Sequence, residues 1–192
     1  MEKKKLSRRH WLFIIAIVAI FVLYGVFWGE GNFQTVPNQW TKKIMDLPEY
    51  STTDLNGDHY EKADIYQNQL TYLYIWSSEA EAENLQEING IVADLYEDGV
   101  KFLGCIADEG AALEVAKEIA GSYDLNFPQL LPDETLREEL LSKVTAYPTA
   151  FLINSEGDVI GGAVVGAMSG VEMEAIIDTA LTALAAEETG RE

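Results

Sequence analysis

The chain has 192 residues, of which 48% are hydrophobic, and carries a net charge of −19. That length provides for one sizeable domain with an appendage and is short for two full cores. So acidic a surface repels phosphate backbones and anionic lipid headgroups, which argues against nucleic acid as a partner. One cysteine and two histidines exclude an internal disulfide framework and a Cys/His zinc site, and no metal or cofactor is predicted.

The start of the chain predicts a membrane anchor. Residues 1–10 hold five of the 13 basic residues, and the 18 residues Trp11–Trp28 carry no charge. Such a segment can span a bilayer with an aromatic side chain at each interface, and the positive-inside rule then places residues 1–10 in the cytoplasm and 29–192 outside the cell membrane. A signal peptide cleaved near Gly29 is the alternative, but the length of the apolar segment favours an uncleaved, single-pass anchor.

A linker and a hairpin follow the predicted anchor. Residues 29–45 are polar with Gly and Pro at intervals, which predicts a linker that ends in a short docking segment. We expect a domain over residues 46–187 and a tail over 188–192. Near the start of the domain, Asn56-Gly57 is a strong signal for a hairpin with a two-residue turn. The stretch DLNGD lacks the spacing and the distal Glu of a calcium loop, which favours a plain hairpin.

A β-α-β unit is predicted next. Residues 70–76, LTYLYIW, and 100–107, VKFLGCIA, are apolar runs typical of buried parallel strands, and residues 85–96 between them have helical spacing. Ser78 and Glu81 predict a capping box at the start of that helix.

The second half of the chain alternates helices and strands. The segments 149–154 and 158–166 flank the turn Ser155-Glu156-Gly157 and predict an antiparallel hairpin. The whole element order indicates an α/β sandwich with a mixed central sheet flanked by helices. The other predicted elements are a helix over 111–125, a strand over 128–131, a helix over 133–141 and a helix over 171–186.

This order of elements and three local patterns resemble the thioredoxin superfamily, and most closely its redoxin branch of membrane-anchored thiol-disulfide oxidoreductases, related to the alkyl hydroperoxide reductase and thiol-specific antioxidant proteins. The resemblance covers about residues 46–186 and rests on LTYLYIW leading into a helix, VKFLGCIADE and YPTAFLINSEGDVIGG. It implies a thioredoxin-like fold and a cis Tyr147-Pro148 bond. The family's W-x-x-x-C-x-x-C motif falls on Ala80 and Glu83, so both active-site cysteines are missing.

The missing cysteines change the function that the resemblance implies. Disulfide exchange needs a thiolate and a second thiol that releases the mixed disulfide, so no catalytic residue is predicted. The family's docking surface survives, and we expect it to bind a polypeptide or membrane-protein partner. Trp76 and Tyr147 would frame that surface, or each would pack in the core or at its rim. The predicted binding residues are Trp76, Ser77, Ser78, Tyr147, Pro148 and Thr149.

Three further assignments leave alternatives open. Cys105 lies inside a predicted strand, which favours a core residue over a reactive thiol. The alternative function is therefore a thiol-disulfide oxidoreductase or redox partner that uses Cys105 with a thiol from another protein, and a third is a structural subunit of a membrane complex. The carboxylates Glu79, Glu81 and Glu83 favour a helix amino terminus, or attract a cation or a basic partner. His59 is predicted to lie on the surface.

Overall fold

The computed structural model describes residues 39–79 and 83–190. The predicted cytoplasmic tail, the membrane span Trp11–Trp28 and most of the linker lie outside these residues, as do Ala80 and Glu81. Within the described ranges, the helices are all too short or too polar to cross a bilayer.

Eight strands form one mixed sheet in the order β1-β8-β7-β4-β5-β6-β2-β3. The described residues also form four α-helices and two short 3-10 helices, Lys62–Gln67 and Leu141–Lys143. The strands are β1 Lys43–Asp46, β2 Ser51–Asp54, β3 His59–Glu61, β4 Leu70–Trp76, β5 Val100–Ile106, β6 Gln129–Leu131, β7 Thr149–Asn154 and β8 Asp158–Val165. The helices are α1 Glu83–Glu97, α2 Gly110–Ser122, α3 Glu134–Glu139 and α4 Gly170–Gly190.

The middle of the sheet is the apolar strand β4, in which every residue is buried. It pairs in parallel with β5 and antiparallel with β7, which in turn forms a hairpin with β8. The predicted β-α-β unit, the carboxyl-terminal hairpin and the mixed α/β architecture are confirmed. Strands β4 and β7 have the predicted bounds because long runs of β-branched and aromatic residues specify them locally.

Both faces of the sheet are covered, which explains why β4 has no polar face. Alternate residues such as Tyr72, Tyr74 and Trp76 pack with apolar side chains of α1, α2 and α4. The residues between them, Leu73 and Ile75, pack on the other face with α3 and the first 3-10 helix. The sandwich therefore has two core layers, one on each side of the sheet.

The two ends of the domain and the first hairpin differ from prediction. Residues 43–45 belong to β1, which pairs with β8, and not to a linker. Most β1 side chains are exposed, so its sequence carries no apolar pattern. Helix α4 runs to Gly190, into the predicted tail. The β2-β3 hairpin is confirmed, but four residues, 55–58, connect its strands where a two-residue turn was predicted.

Trp40 packs against the sheet near the start of the described residues. Its indole ring lies against Gly161, where a Cβ would be 2.7 Å from Trp40 Cε3, and Gly161 has a φ of +76°. Thr41 Oγ1 donates a hydrogen bond to Glu187 Oε1 in α4. The Gly161-Gly162 pair in the irregular part of β8 thus makes room for this aromatic ring.

Candidate functional site

The site predicted from the sequence lies where β4 ends and the chain turns towards α1. The carbonyl of Trp76 accepts a hydrogen bond from the Ala107 N–H at 2.8 Å, so the chain segments that follow β4 and β5 leave the sheet side by side. Beyond them, Ser78 donates to Asp108 twice, from its N–H at 2.6 Å and from its hydroxyl at 2.8 Å. Asp108 therefore fixes the loop that precedes α1.

The predicted cysteine positions cannot be assigned a geometry. Ala80 lies outside the described residues, and Glu83 is the first residue of α1. The Ser78-Glu81 capping box stays a prediction for the same reason. What the structure adds is that the Ser78 hydroxyl is already bound to Asp108.

The segment Tyr147-Pro148-Thr149 lies beside the turn from β4 to α1, which we call the corner. Its Tyr147-Pro148 bond is cis, the geometry that the resemblance implies. The pairing of Ile75 with Thr149 brings Pro148 next to the end of β4. Pro148 O accepts from Gly166 N at 2.9 Å, and Thr149 Oγ1 donates to Ala146 O at 2.7 Å. Both residues are buried, so they support the surface and do not line it.

Tyr147 is the aromatic residue that reaches solvent. Its side chain is 40% exposed, and partial burial raises the pKa of its hydroxyl, with the negative charge of Asp108 adding to the increase. Its backbone N–H and C=O make no hydrogen bond to any residue that the structure describes. Tyr147 thus presents a ring together with two backbone groups that have no partner among the described residues.

Trp76 is a core residue, which corrects its assignment to the binding surface. Its side chain is 1% exposed, and Nε1 donates to Gln129 Oε1 at 2.9 Å. The Gln129 amide in turn donates to Phe127 O at 3.1 Å. Gly104 makes this arrangement possible, because a Cβ there would overlap the Gln129 side-chain amide. Ser77 is buried as well, so Ser78 and Tyr147 are the predicted binding residues with accessible side chains.

An exposed valine extends the accessible surface beyond Tyr147. Val165 is 59% exposed and is paired with Thr149 at the end of β8. The next residue, Gly166, donates its N–H to Pro148 O, which joins the end of β8 to the proline. We call Ser78, Tyr147 and Val165 the Tyr147 surface.

Cys105 is buried on the sheet face opposite to Trp76. It packs with Leu103 and Leu130 and is 1% exposed, and burial raises the pKa of its thiol to about 12. It lines a small apolar cavity with Tyr50, whose buried hydroxyl has no hydrogen-bond partner among the described residues. The prediction that Cys105 is a core residue is confirmed. His59 is exposed on β3, also as predicted.

Asp108, Arg137 and Gln129 were not identified from the sequence. Arg137 on α3 binds Glu109 Oε1 at 2.8 Å, close to the corner. Asp108 could have been predicted, because it follows β5 at the edge of the sheet where the carboxyl ends of the parallel strands lie together. Arg137 and Gln129 carried no such signal, since their elements are short and their partners are distant in the chain.

Comparisons with known proteins place the chain by its fold. No protein-family model and no curated protein matches its sequence. Among solved structures, it is similar to a thiol:disulfide interchange protein of the thioredoxin family from Chlorobium tepidum TLS, at 18% identity and a TM-score of 0.60, over 71% of this chain and 96% of that one.

Two other solved structures are also similar to this chain. StoA from Bacillus subtilis is 18% identical, with a TM-score of 0.56 over 69% of this chain and 99% of that chain. A secreted Mycobacterium tuberculosis disulfide oxidoreductase homologous to E. coli DsbE is 18% identical, with a TM-score of 0.52 over 67% and 94%. The fold is therefore thioredoxin-like, in a chain that has one cysteine.

Proposed function

We propose that this protein is a membrane-anchored, extracytoplasmic thioredoxin-like protein without redox activity, which binds an extended polypeptide or a membrane protein on the Tyr147 surface. The observation that carries the proposal is Tyr147 itself, whose exposed ring lies beside its own backbone N–H and C=O, neither of which bonds to a residue that the structure describes. An extended chain can satisfy such a pair of backbone groups as a strand of a sheet does.

The surroundings of Tyr147 suit such a ligand. Large side chains exposed at the end of a sheet attract apolar side chains of a partner, and Val165 supplies that contact. The double hydrogen bond from Ser78 to Asp108 holds the facing loop in one position. Rigid supports of this kind reduce the entropy lost when a flexible ligand binds.

Redox chemistry has little support in the described residues. The single thiol of the chain is inside the apolar layer, and its pKa of about 12 leaves almost no thiolate at neutral pH. A second thiol would have to come from another protein, which would need to reach a side chain that is covered on all sides. The alternative function through Cys105 therefore requires opening of the fold.

The anchor is a separate part of the proposal and rests on the sequence of Trp11–Trp28. It places the domain outside the membrane and residues 1–10 in the cytoplasm. Protease added outside intact cells should then digest the domain and leave residues 1–10 protected. Recovery of the untruncated protein in the cytosolic fraction would contradict this arrangement.

Photocrosslinking of the full chain in an uncharged detergent tests the binding function. A photoreactive phenylalanine analogue replaces Tyr147 in one variant and Tyr96 in the other, because Tyr96 is also exposed but lies on α1. With a permanently unfolded model polypeptide, we expect a crosslinked product at position 147 and none at 96. Equal yields at both positions, or none at either, would refute the Tyr147 surface as a binding site.

A further inference from the structure

We infer that a cavity at the opposite end of β4 from the corner binds a neutral saccharide. The cavity has a volume of about 370 Å³ and lies between the first 3-10 helix, the turn from β7 to β8 and the last turns of α4. Gln69 lines it and immediately precedes β4, whereas Trp76 ends that strand. A strand of this length spans about 20 Å, so the cavity is separate from the Tyr147 surface and does not depend on the proposed function. We call it the Tyr66 cavity.

One wall of the Tyr66 cavity is a face of α4. The residues of this wall recur at the helical spacing i, i+3, i+4 and i+7, which places them on one side of the helix. They are Leu181, Leu184, Ala185 and Glu188. Leu181 and Leu184 also pack against the apolar core, so the wall is held in place. Ala185 contributes only a methyl group and therefore takes up little of the space.

An exposed aromatic ring forms another part of the lining. Tyr66, in the first 3-10 helix, is 48% exposed. Its ring lies against the turn from β7 to β8, where a Cβ on Gly157 would be 3.1 Å from Tyr66 Cε1. Gly157 has a φ of +80°, so glycine suits both the backbone conformation and the close contact. The turn supports the ring, while about half of the side chain stays open to a ligand.

Five polar side chains complete the lining, those of Gln67, Asn68, Gln69, Ser155 and Glu188. All of them except Asn68 make no hydrogen bond or ion pair through the side chain with any residue that the structure describes. Asn68 uses its Nδ2 group alone, which donates to a backbone carbonyl at 3.0 Å. Because side-chain amides and hydroxyls both donate and accept, the cavity offers a ligand several hydrogen bonds of both kinds.

A second cavity, of about 340 Å³ between the β2-β3 loop and the end of α2, differs in this respect. Its polar side chains Gln129, Lys117 and Asn56 already have partners within the protein. Its aromatic side chain, Phe127, is buried. The combination of an exposed ring with uncommitted amide groups is thus found in the Tyr66 cavity and not in this one.

A saccharide has the chemistry that this lining requires. The faces of a sugar ring carry C–H groups that can lie on Tyr66 and on the leucines of α4, and its hydroxyls project outward to the amides. No lysine or arginine is among the described lining residues, so a phosphate or carboxylate group would find no cation there. The volume falls near the lower end of the range for small-molecule sites, about 300–1,000 Å³, which suits a mono- or disaccharide.

Saturation-transfer NMR of the full chain tests this inference, in a polyoxyethylene detergent because that detergent has no sugar headgroup. The probes are cellobiose, maltose and diacetylchitobiose, with adenosine and glucose 6-phosphate for comparison. At least one neutral disaccharide should receive saturation at its ring C–H protons, with a Kd in the millimolar range, and glucose 6-phosphate should receive at least threefold less. No transfer to any neutral disaccharide, or transfer to adenosine equal to that of the best disaccharide, would overturn the inference.

Two pairs of variants locate the binding. Ala185→Phe fills the cavity and should abolish the transfer, whereas Ala186→Phe adds the same ring at a neighbouring exposed position that does not line the cavity. Tyr66→Ala should weaken binding at least tenfold, and Tyr96→Ala, which removes an exposed tyrosine on α1, should leave it unchanged. All four positions are exposed, so the domain should fold in each variant. Binding that survives either cavity variant, or is lost in either control, would refute the Tyr66 cavity as the saccharide site.

Discussion

Trp76 and Tyr147 stand on adjacent strand ends, yet they belong to different regions of the molecule. Trp76 is in an inner layer with Gln129 and Gly104, where each polar group has a partner and solvent is excluded. Tyr147 is in an outer layer with Ser78 and Val165, where the ring and its backbone are open to a ligand. The sequence predicts the same role for both aromatic residues, whereas in the structure Trp76 is buried and Tyr147 is exposed.

The difference teaches which part of a thioredoxin-like corner can persist without cysteines. The inner layer maintains the fold, because its contacts are required whether or not a thiol is present. The outer layer has no such requirement, and under the proposed function its exposed tyrosine serves in binding. If this division is correct, substitutions in the two layers must have opposite effects on stability and on binding.

The largest expected effect is the loss of stability in Trp76→Ala. Removal of a fully buried aromatic side chain costs about 3–5 kcal/mol of unfolding free energy. Trp76→Phe keeps most of the packing but leaves Gln129 Oε1 without its donor, for about 1–3 kcal/mol. Urea denaturation of the full chain measures both. A loss below 1 kcal/mol in Trp76→Ala would show that Trp76 does not belong to the inner layer.

Gly104→Ala should be the next most damaging change. The added methyl group displaces the Gln129 amide, and the loss of its bond to the buried Trp76 N–H costs about 1–3 kcal/mol. Gly90→Ala is the matched control, because a Cβ at this exposed position in α1 meets nothing within 4 Å. That control should gain about 0.5–1 kcal/mol from its higher helix propensity.

Cys105 provides a test, by pH, of burial on the sheet face opposite to Trp76. Burial raises the thiol pKa in the folded protein to about 12, whereas an unfolded cysteine titrates near 8.5. The folded state therefore binds the proton more strongly, and its contribution to stability is complete below about pH 8.5 and is lost as pH rises towards 12.

The thiol should contribute a slope of about 1 kcal/mol per pH unit between pH 9 and 10. Because tyrosines of the unfolded chain also begin to titrate in this range, the contribution of the thiol is measured as the difference in slope between the wild-type protein and Cys105→Ala. Cys105→Ala should remove this slope, whatever constant stability the substitution itself costs. Equal slopes in both proteins would mean that the thiol is accessible in the folded state.

The smallest effect on stability is expected for Tyr147→Ala. An exposed side chain without hydrogen bonds to the described residues contributes within about 0.5 kcal/mol. Binding of the permanently unfolded model polypeptide should nevertheless weaken at least tenfold, because the ring and its contact area are lost. A substantial loss of stability together with unchanged peptide binding would reverse the assignment of the two layers.

Local signals in the sequence were sufficient for the centre of the fold. Strands β4 and β7 were predicted to the residue, because apolar runs bounded by polar turns are specified locally. Strand β1 was missed, since four mostly exposed residues acquire their conformation only by pairing with β8. The same cause explains the underestimated length of the domain at its start.

The candidate site was less predictable than the fold. The sequence could not show which way the Trp76 side chain points, because β4 has no alternation of polar and apolar residues. The strand is buried on both faces, so either orientation leads into a core. Gln129 and Asp108 depend on partners 53 and 30 residues away in the chain, which no local pattern records. Sequence reasoning therefore located the corner but could not separate its inner layer from its outer one.

The pairing of β1 with β8 also affects how the domain is completed during synthesis. Lys43 lies opposite Ile160, so the first strand to leave the ribosome must wait for a partner about 120 residues later. At 5–20 residues per second, that delay is roughly 6–24 s. Until then β1, Trp40 and Thr41 lack the strand against which they pack. A nascent chain arrested before residue 158 should therefore remain sensitive to proteases at residues 40–46.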